Sequence, residues 1–477
     1  MRKAVFLSHL IDERHVAALD PALRSFLSPA RRKEFFSEAS PLAGSSVYHE
    51  QLVTFGGGSD GSGRRRGGKQ RQILLQLRGV FATSEFFERS ARAQDGLACQ
   101  KVAEAARVAV GEGADVVGLG QFTSIVTQNG VALLPRPAFR GGDNGFGFHG
   151  GGSGGSGCGG GGGGGWDNDN ALVDPTRSGR DRRLRLRRPA TLTTGNSLTV
   201  GLAYRALLGL LRERGKTLAG SRVAVIGAAG NICRTYAELL AADGVGSLLL
   251  VHREPLEASP KFREAHRRVC HAAAEAVASR TGVSNAAAAE AAAKKVEATH
   301  ILDPIAGCDI VVSGTNSTRQ FLEPIHLARG AVVLDVSVPS NVSRGVLTLR
   351  PDVECFQGAN ATLPAGQKLL SPLVPTDDGN VFACMGETVA LAMIMALEDD
   401  EDDERNGAHN RRRRQSLRGG SHSVGALSRE GVIATLEMAD RVGIGLGRVK
   451  RMSNAEAAAV RVAAAEGTDK VVPTSRL

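Results

Sequence analysis

The stretch "SRVAVIGAAGNICRTYAELLAADGVGSLLLVHRE", residues 221–254, decides the fold. It opens on Val223–Ile226, a short apolar run bounded by turn residues, which suits a buried strand. Glycines at 227 and 230 make a turn, an amphipathic helix follows, and "SLLLV" reads as a second strand. Two more strands come later, in "CDIVVSGT" (308–315) and in "AVVLDVSV" (331–338), the latter after "EPIHLARG". Strands that alternate with helices predict a doubly wound parallel sheet of Rossmann type.

The turn itself, G-A-A-G-N-I-C from Gly227 to Cys233, has a chemical use. Unpaired N–H groups and the dipole of the following helix favour a pyrophosphate there. Gly227 permits the tight turn and Gly230 the close approach of phosphates. The cofactor-binding candidates are therefore Gly227, Ala228, Ala229, Gly230, Asn231 and Ile232, with Ser313 and Gly314 at the end of a later strand. A Rossmann-like turn that binds nothing is the competing reading. Cys233 stands where the third glycine of such turns usually falls. Just past the second strand, "VHRE" offers Arg253 to a 2′-phosphate, which points to NADPH; Glu254 leaves NADH open.

Upstream, "SEFFERSARAQDGLACQKVAEAARVAVGEGADVVGLG" (84–120) reads as helix followed by strand, with Val102, Ala105, Ala106 and Ala109 on one helical face. "TLTTGNSLTVGLAYRALLGLLRERGKTL" (191–218) starts a helix near Thr194–Ser197 with a stripe of Leu202, Leu207, Leu208 and Leu211. Glycine-rich or arginine-rich tracts at 56–72 and 141–188 cannot bury enough apolar surface to order, and read as insertions. "SNAAAAEAAAKK" (284–295) is a helix-prone insertion without evident chemistry.

Net charge is +10, but arginine runs at 64–66, 177–188 and 411–414 and the acidic run "EDDEDDE" (398–404) supply most of the balance. These are solvated low-complexity segments without interleaved aromatics, so no nucleic-acid partner is expected. Seven scattered cysteines, without a C-x-x-C or a Cys/His cluster of ligand spacing, predict a reducing compartment and no metal. The start "MRKAVFLSHLIDERH" has too short an apolar run for a signal peptide, and no twenty-residue apolar stretch predicts a transmembrane segment.

One cysteine stands apart by context. Cys384 lies in "GNVFACMGETVALAM" (379–393), where Gly379 and Asn380 read as a helix start. A first-turn position lowers a thiol pKa through the helix dipole, whereas burial among Phe382, Met385 and Val389 raises it. Nucleophile and packing residue both remain open on these residues. His149 lies in a glycine tract and His252 on the cofactor strand, so neither is an assured base.

Four motifs carry a resemblance: "GLGQFTSIVTQNG" (118–130), "TTGNSLT" (193–199), "VAVIGAAGNI" (223–232) and "VFACMGETVALAM" (381–393). In this order they resemble the long-chain acyl-carrier-protein reductases, the aldehyde-forming fatty acyl reductases, and their shikimate/amino-acid dehydrogenase-like relatives. The likeness runs from about Leu75 to Leu397. It implies that Cys384 attacks an acyl thioester, acyl-CoA or acyl carrier protein, and that NADPH reduces the resulting acyl-enzyme to an aldehyde. It also places Thr194 and Asn196 at the cleft, and Gly120, Phe122, Thr123 and Ser124 along the substrate channel; helix capping is the plainer role for either group. Gln121, where relatives carry glycine, and "DVSVPSN" (335–341), where a Gly-Gly-Tyr-Pro pattern is usual, depart from the family.

The expected architecture is two-domain α/β, shikimate-dehydrogenase-like: a substrate domain over 1–200, an NADP-binding domain over 201–375, a cleft helix over 376–397, a disordered linker over 398–425 and a C-terminal helix and tail over 426–477. Two other functions fit the residues, a noncovalent dehydrogenase of a small hydroxy or amino acid and a silent dinucleotide-binding module. The terminal Ser-Arg-Leu resembles a peroxisomal address, which a eukaryotic source would read; a cytoplasmic enzyme is the alternative.

Overall fold

The computed structural model describes residues 1–9, 44–56, 70–93, 96–120, 122–134, 190–317, 319–369, 379–404 and 421–452, with isolated positions at 31, 34, 35 and 38. Most of the tracts read as insertions, Gln121, His149, Cys158 and the Ser-Arg-Leu terminus lie outside these residues.

The N-terminal half holds β1 (Arg2–His9), β2 (Ser45–Phe55), β3 (Arg71–Val80), α1 (Ser84–Ala93), α2 (Leu97–Gly111), β4 (Val116–Leu119), α3 (Phe122–Val126), β5 (Thr191–Thr193) and α4 (Asn196–Glu213). Arg71 and Gln72 belong to β3, so the glycine-rich insertion ends before them. The face of α2 that spacing selects is the buried one, with Val102, Ala105, Ala106 and Ala109 packed on the sheet.

The second sheet is built from β6 (Arg222–Ile226), α5 (Asn231–Ala242), β7 (Ser247–Val251), α6 (Pro260–Thr281), α7 (Asn285–Ala293), β8 (Val296–Thr299), β9 (Ile310–Ser313), β10 (Val332–Asp335), α8 (Arg344–Leu349) and β11 (Glu354–Gln357). Its strands run β8-β7-β6-β9-β10-β11, all parallel, with a short antiparallel strand on the β11 edge. Numbered from β6, this is the order 3-2-1-4-5-6, whose reversal between β6 and β9 opens a crevice at the strands' carboxyl ends. Val223, Val225 and Leu250 are fully buried, and each aliphatic side chain so removed from water contributes about 1.5–3 kcal/mol.

The remainder returns to the first half. β12 (Asn360–Thr362), β13 (Asn380–Phe382), α9 (Ala383–Glu404), β14 (Ser421–His422), α10 (Arg429–Arg441), β15 (Gly445–Leu446) and β16 (Lys450–Arg451) complete the described chain. α9 packs on β1, β3 and β4; a Cβ on Gly118 of β4 would overlap Thr388 of the helix. β14 pairs in parallel with β5 and makes the first sheet six-stranded, in the order β14-β5-β4-β1-β3-β2.

Three features differ from the sequence reading. Asn380 does not start a helix: Asn380–Phe382 pairs with β12, Asn380 Oδ1 accepts from the Arg448 amide, and the helix begins at Ala383. α4 runs unbroken from Asn196 to Glu213, across the expected boundary at 200–201. The stretch taken as a linker over 398–425 contributes its first residues to α9 and its last to β14.

Candidate active site

The turn after β6 takes its shape from two glycines, one past each of two neighbouring strands. Gly227 has φ +85°, and a Cβ there would lie 2.5 Å from the Gly314 carbonyl oxygen, so both conformation and space require glycine. Gly314 in turn faces Cys233, whose fully buried thiol donates to the Gly314 carbonyl at 3.3 Å. The bulk at the third glycine position is thus accommodated by a glycine on the opposing strand. Gly230 forms the N-cap of α5 with an extended backbone, Ala228 is buried, and Ala229 and Ile232 are partly exposed. Arg253 stands past β7 with a side chain 67% exposed and Glu254 3.5 Å away.

Below this crevice lies a polar floor made from the departing segment 335–341. Buried Asp335 accepts from Ser337 N (3.0 Å), Asn341 N (2.7 Å) and the Ser340 hydroxyl (2.7 Å). Asn341 Oδ1 accepts from the hydroxyls of Ser313 (3.0 Å), Thr315 (2.8 Å) and Ser337 (2.7 Å). The Ser313 hydroxyl is therefore committed to the protein. Burial pushes the Asp335 carboxyl above its ordinary range, against these hydrogen bonds.

Cys384 sits in the first turn of α9, half-buried, against the turn that opens α4. That turn caps without a side chain of its own: Gly195 is the N-cap residue with φ +69°. A Cβ on Gly195 would overlap the Cα and Cβ of Cys384. The N-termini of α4 and α9 thus meet at the thiol, and both dipoles favour negative charge there. Burial nevertheless pushes the thiol up to about 12, with the Glu387 charge adding to it and the Met385 amide opposing. Of the two effects weighed on sequence, burial wins.

Glu387, one turn beyond Cys384, is fully buried. Its Oε1 accepts from the Thr193 hydroxyl at 2.5 Å and its Oε2 from the Leu198 amide at 2.8 Å. The imidazole Nε2 of His422 lies 4.0 Å from Oε1. Because the Thr435 hydroxyl donates to the Gly431 carbonyl (2.7 Å), it accepts from Nε2–H of His422 at 3.0 Å.

After His422 the chain laces the two halves together. Ser423, in left-handed backbone with φ 54°, accepts at its carbonyl from Thr194 Oγ1. Gly425 N donates to the Asn129 carbonyl (2.9 Å), and the Gly425 carbonyl accepts from Asn231 Nδ2 (2.7 Å). Leu427 N donates to Asn231 Oδ1 at 3.1 Å. Thr194, the residue before the Gly195 contact, and Asn231, which opens α5, are therefore bonded to carbonyls two residues apart, a span of at most about 7 Å.

The substrate candidates separate on inspection. Phe122 stacks on Phe87 in the core of the first half (centroids 6.2 Å). The Thr123 hydroxyl donates to the Gly120 carbonyl (2.7 Å), a back-bond and not a cap, and Gly120 is held small by the Phe6 ring. Asn196 Nδ2 reaches Asn129 Oδ1 at 3.5 Å. The Ser124 and Ser423 hydroxyls are buried without a hydrogen-bond partner among the described residues. Glu387, His422 and Ser423 were missed on sequence; a lone acid in the apolar run "CMGETVALAM" was the available signal.

Comparisons with known proteins are distant. No family model matches the chain. It is 24% identical over 288 residues to the aminotransferase PigE of Serratia sp. (strain ATCC 39006), covering 60% of this chain and a quarter (25%) of that protein's length. Among solved structures, ligand-free 5-ketofructose reductase of Gluconobacter sp. strain CHM43 is 20% identical, with 32% of this chain and 50% of that one covered and a TM-score of 0.23. Quinate dehydrogenase from Corynebacterium glutamicum in complex with NAD is 19% identical, with coverage of 33% and 50% and a TM-score of 0.20. No helix among the described residues is long and apolar enough to cross a membrane.

Proposed function

We propose that the chain is a nicotinamide-dependent oxidoreductase that reduces an acyl thioester, acyl-CoA or acyl carrier protein, to an aldehyde through an acyl-enzyme on Cys384. The observation that carries this reading is the shared cleft: residues 423–427 tie Thr194, next to the Cys384 contact, to Asn231 of the dinucleotide turn. A cysteine at two converging helix N-termini, a few residues of chain from a glycine turn at a sheet's switch point, suits acyl capture followed by reduction.

The dinucleotide fits the residues present. Gly227–Ile232 would hold the pyrophosphate, Arg253 the 2′-phosphate of NADPH, and the Ser313–Gly314 strand end the nicotinamide side. When bound, NADPH supplies the hydride. In the first half-reaction the Cys384 thiol loses its proton, its sulfur forms a bond to the acyl carbon, and the substrate's own C–S bond breaks. The departing thiolate takes up a proton. The helix dipoles at 196 and 384 stabilise the negative charge that develops on sulfur and on the acyl oxygen. Thr194 and Asn196 form the wall facing that oxygen.

A second reading follows from the raised thiol. In it Cys384 only packs, and the cleft serves a noncovalent dehydrogenase of a small hydroxy or amino acid. Mixing the protein with NADPH and a series of acyl-CoA esters, and trapping product with a carbonyl reagent, tests the first reading. Aldehyde that appears with wild-type protein and not with Cys384→Ser supports it; equal aldehyde from both removes the acyl-enzyme, and aldehyde from neither favours the second.

A further inference from the structure

We propose that Glu387 is a positioning residue for this site, clamping the Thr193–Leu198 turn onto Cys384. The inference rests on the reading of Cys384 as the reacting group, and it assigns a cause to the geometry around that group.

A fully buried carboxylate is costly unless its oxygens find donors, and an apolar side chain would pack a helix–helix contact at less cost. Glu387 therefore needs a reason to be in an otherwise apolar stripe. Its two oxygens go to opposite ends of one turn, the Thr193 hydroxyl before Gly195 and the Leu198 amide after it. Thr193 Oγ1 also receives the Gly195 amide at 3.1 Å, and Thr199 Oγ1 donates to the Gly195 carbonyl at 2.8 Å. The turn is thus held on both sides of the residue that touches the thiol. α4 has no side-chain cap of its own, since its N-cap is glycine. Glu387 supplies the missing acceptor from the neighbouring helix, and the positive end of the α4 dipole favours its charge. Because Glu387 and Cys384 share one turn of α9, the clamp fixes the distance between the thiol and the Thr194–Asn196 wall.

His422 of β14 brings its Nε2 to 4.0 Å from Glu387 Oε1. β14 is paired to Thr193 itself, so the same residue that Glu387 grips also anchors the strand leading into 423–427. Loss of the clamp would loosen the wall on both of its flanks.

The test uses the full chain with Glu387→Gln, Thr193→Val and the double variant. Three quantities are measured: the single-turnover rate of acyl transfer from an acyl-CoA, the rate of Cys384 alkylation by iodoacetamide between pH 7 and 11, and the NADPH dissociation constant. Glu387→Gln is expected to slow acyl transfer about 100-fold, the scale of a small misplacement of reacting groups. Alkylation should accelerate and its pH midpoint should fall, because a negative charge beside the thiol is gone. NADPH binding should stay within about twofold. Thr193→Val should slow acyl transfer by a smaller factor and leave the alkylation midpoint in place, since the carboxylate stays, and the double variant should be no worse than Glu387→Gln in acyl transfer, as for residues acting as one unit. Unchanged acyl transfer and an unchanged alkylation profile in Glu387→Gln would overturn the clamp. If Glu387→Gln does not fold, Thr193→Val decides by the acyl-transfer rate, an unchanged rate overturning the clamp. If wild-type protein transfers no acyl group, the functional reading fails, and the alkylation profile alone decides whether Glu387 governs the thiol.

Discussion

Gly195 lies against Cys384 with no room for a methyl group between them. This contact sets the whole site, because it brings the first turn of α4 onto the first turn of α9. Gly195→Ala adds a Cβ that overlaps the cysteine backbone and places alanine at φ +69°. Left-handed backbone alone costs about 1–2 kcal/mol. Urea titration should show at least that loss, and acyl transfer should fall about 100-fold as the wall moves off the thiol. An alanine variant of unchanged midpoint and rate would mean that the two turns are not in contact.

A second close approach predicts a rescue. Gly314→Ala would set its Cβ on the Cys233 sulfur and cost about 1–3 kcal/mol through overpacking. Cys233→Ala removes that sulfur. The double variant should recover a substantial part of the loss in a double-mutant cycle. Strict additivity of the two losses would show that the turn and the strand end do not pack through this pair.

The titration of Cys384 has a definite direction. Its thiol is pushed from 9.0 up to about 12 by burial, as is that of Cys233, so the folded state keeps protons that the unfolded chain releases. Stability from these groups is full below pH 9 and is lost as pH rises toward 12. Denaturant midpoints measured at pH 8 and pH 10.5 should fall, and fall less in Cys384→Ala. Iodoacetamide labelling of Cys384 should climb roughly tenfold per pH unit over that window, following the thiolate fraction. Rapid labelling that levels off near neutral pH would contradict the burial account.

The proposed reading gives the 2′-phosphate to one exposed side chain, Arg253. Arg253→Ala should weaken NADPH by about 1.5–3 kcal/mol, the worth of hydrogen bonds to a charged group, and leave NADH nearly unchanged. Calorimetric titration with both nucleotides separates the outcomes; equal losses would remove Arg253 from the 2′-phosphate.

The second sheet was legible because its signals are local. Val223–Ile226, Gly227 and Gly230 specify strand, turn and helix within a dozen residues, and the parallel order follows from the alternation. The thiol's surroundings were less legible, because they are assembled from four separated segments. Thr193 and Glu387 meet across 194 positions, and His422 reaches both from a stretch whose charged flanks read as a linker. Phe122 shows the opposite failure. The resemblance set Phe122 with Thr123 and Ser124 along a channel, whereas its ring stacks on Phe87 in the core. Spacing gave the burial face of α2 because its apolar stripe is long; α3 is five residues and carries no such period.

Intact mass spectrometry after brief mixing with an acyl-CoA, without NADPH, tests the central claim most directly. Wild-type protein should gain the mass of one acyl group, placed on Cys384 by peptide mapping, and should lose it as aldehyde when NADPH is added. Cys384→Ser should remain at its starting mass while still binding NADPH. Acyl-CoA-dependent aldehyde formation without an adduct, or an adduct that persists in the serine variant, would contradict the account.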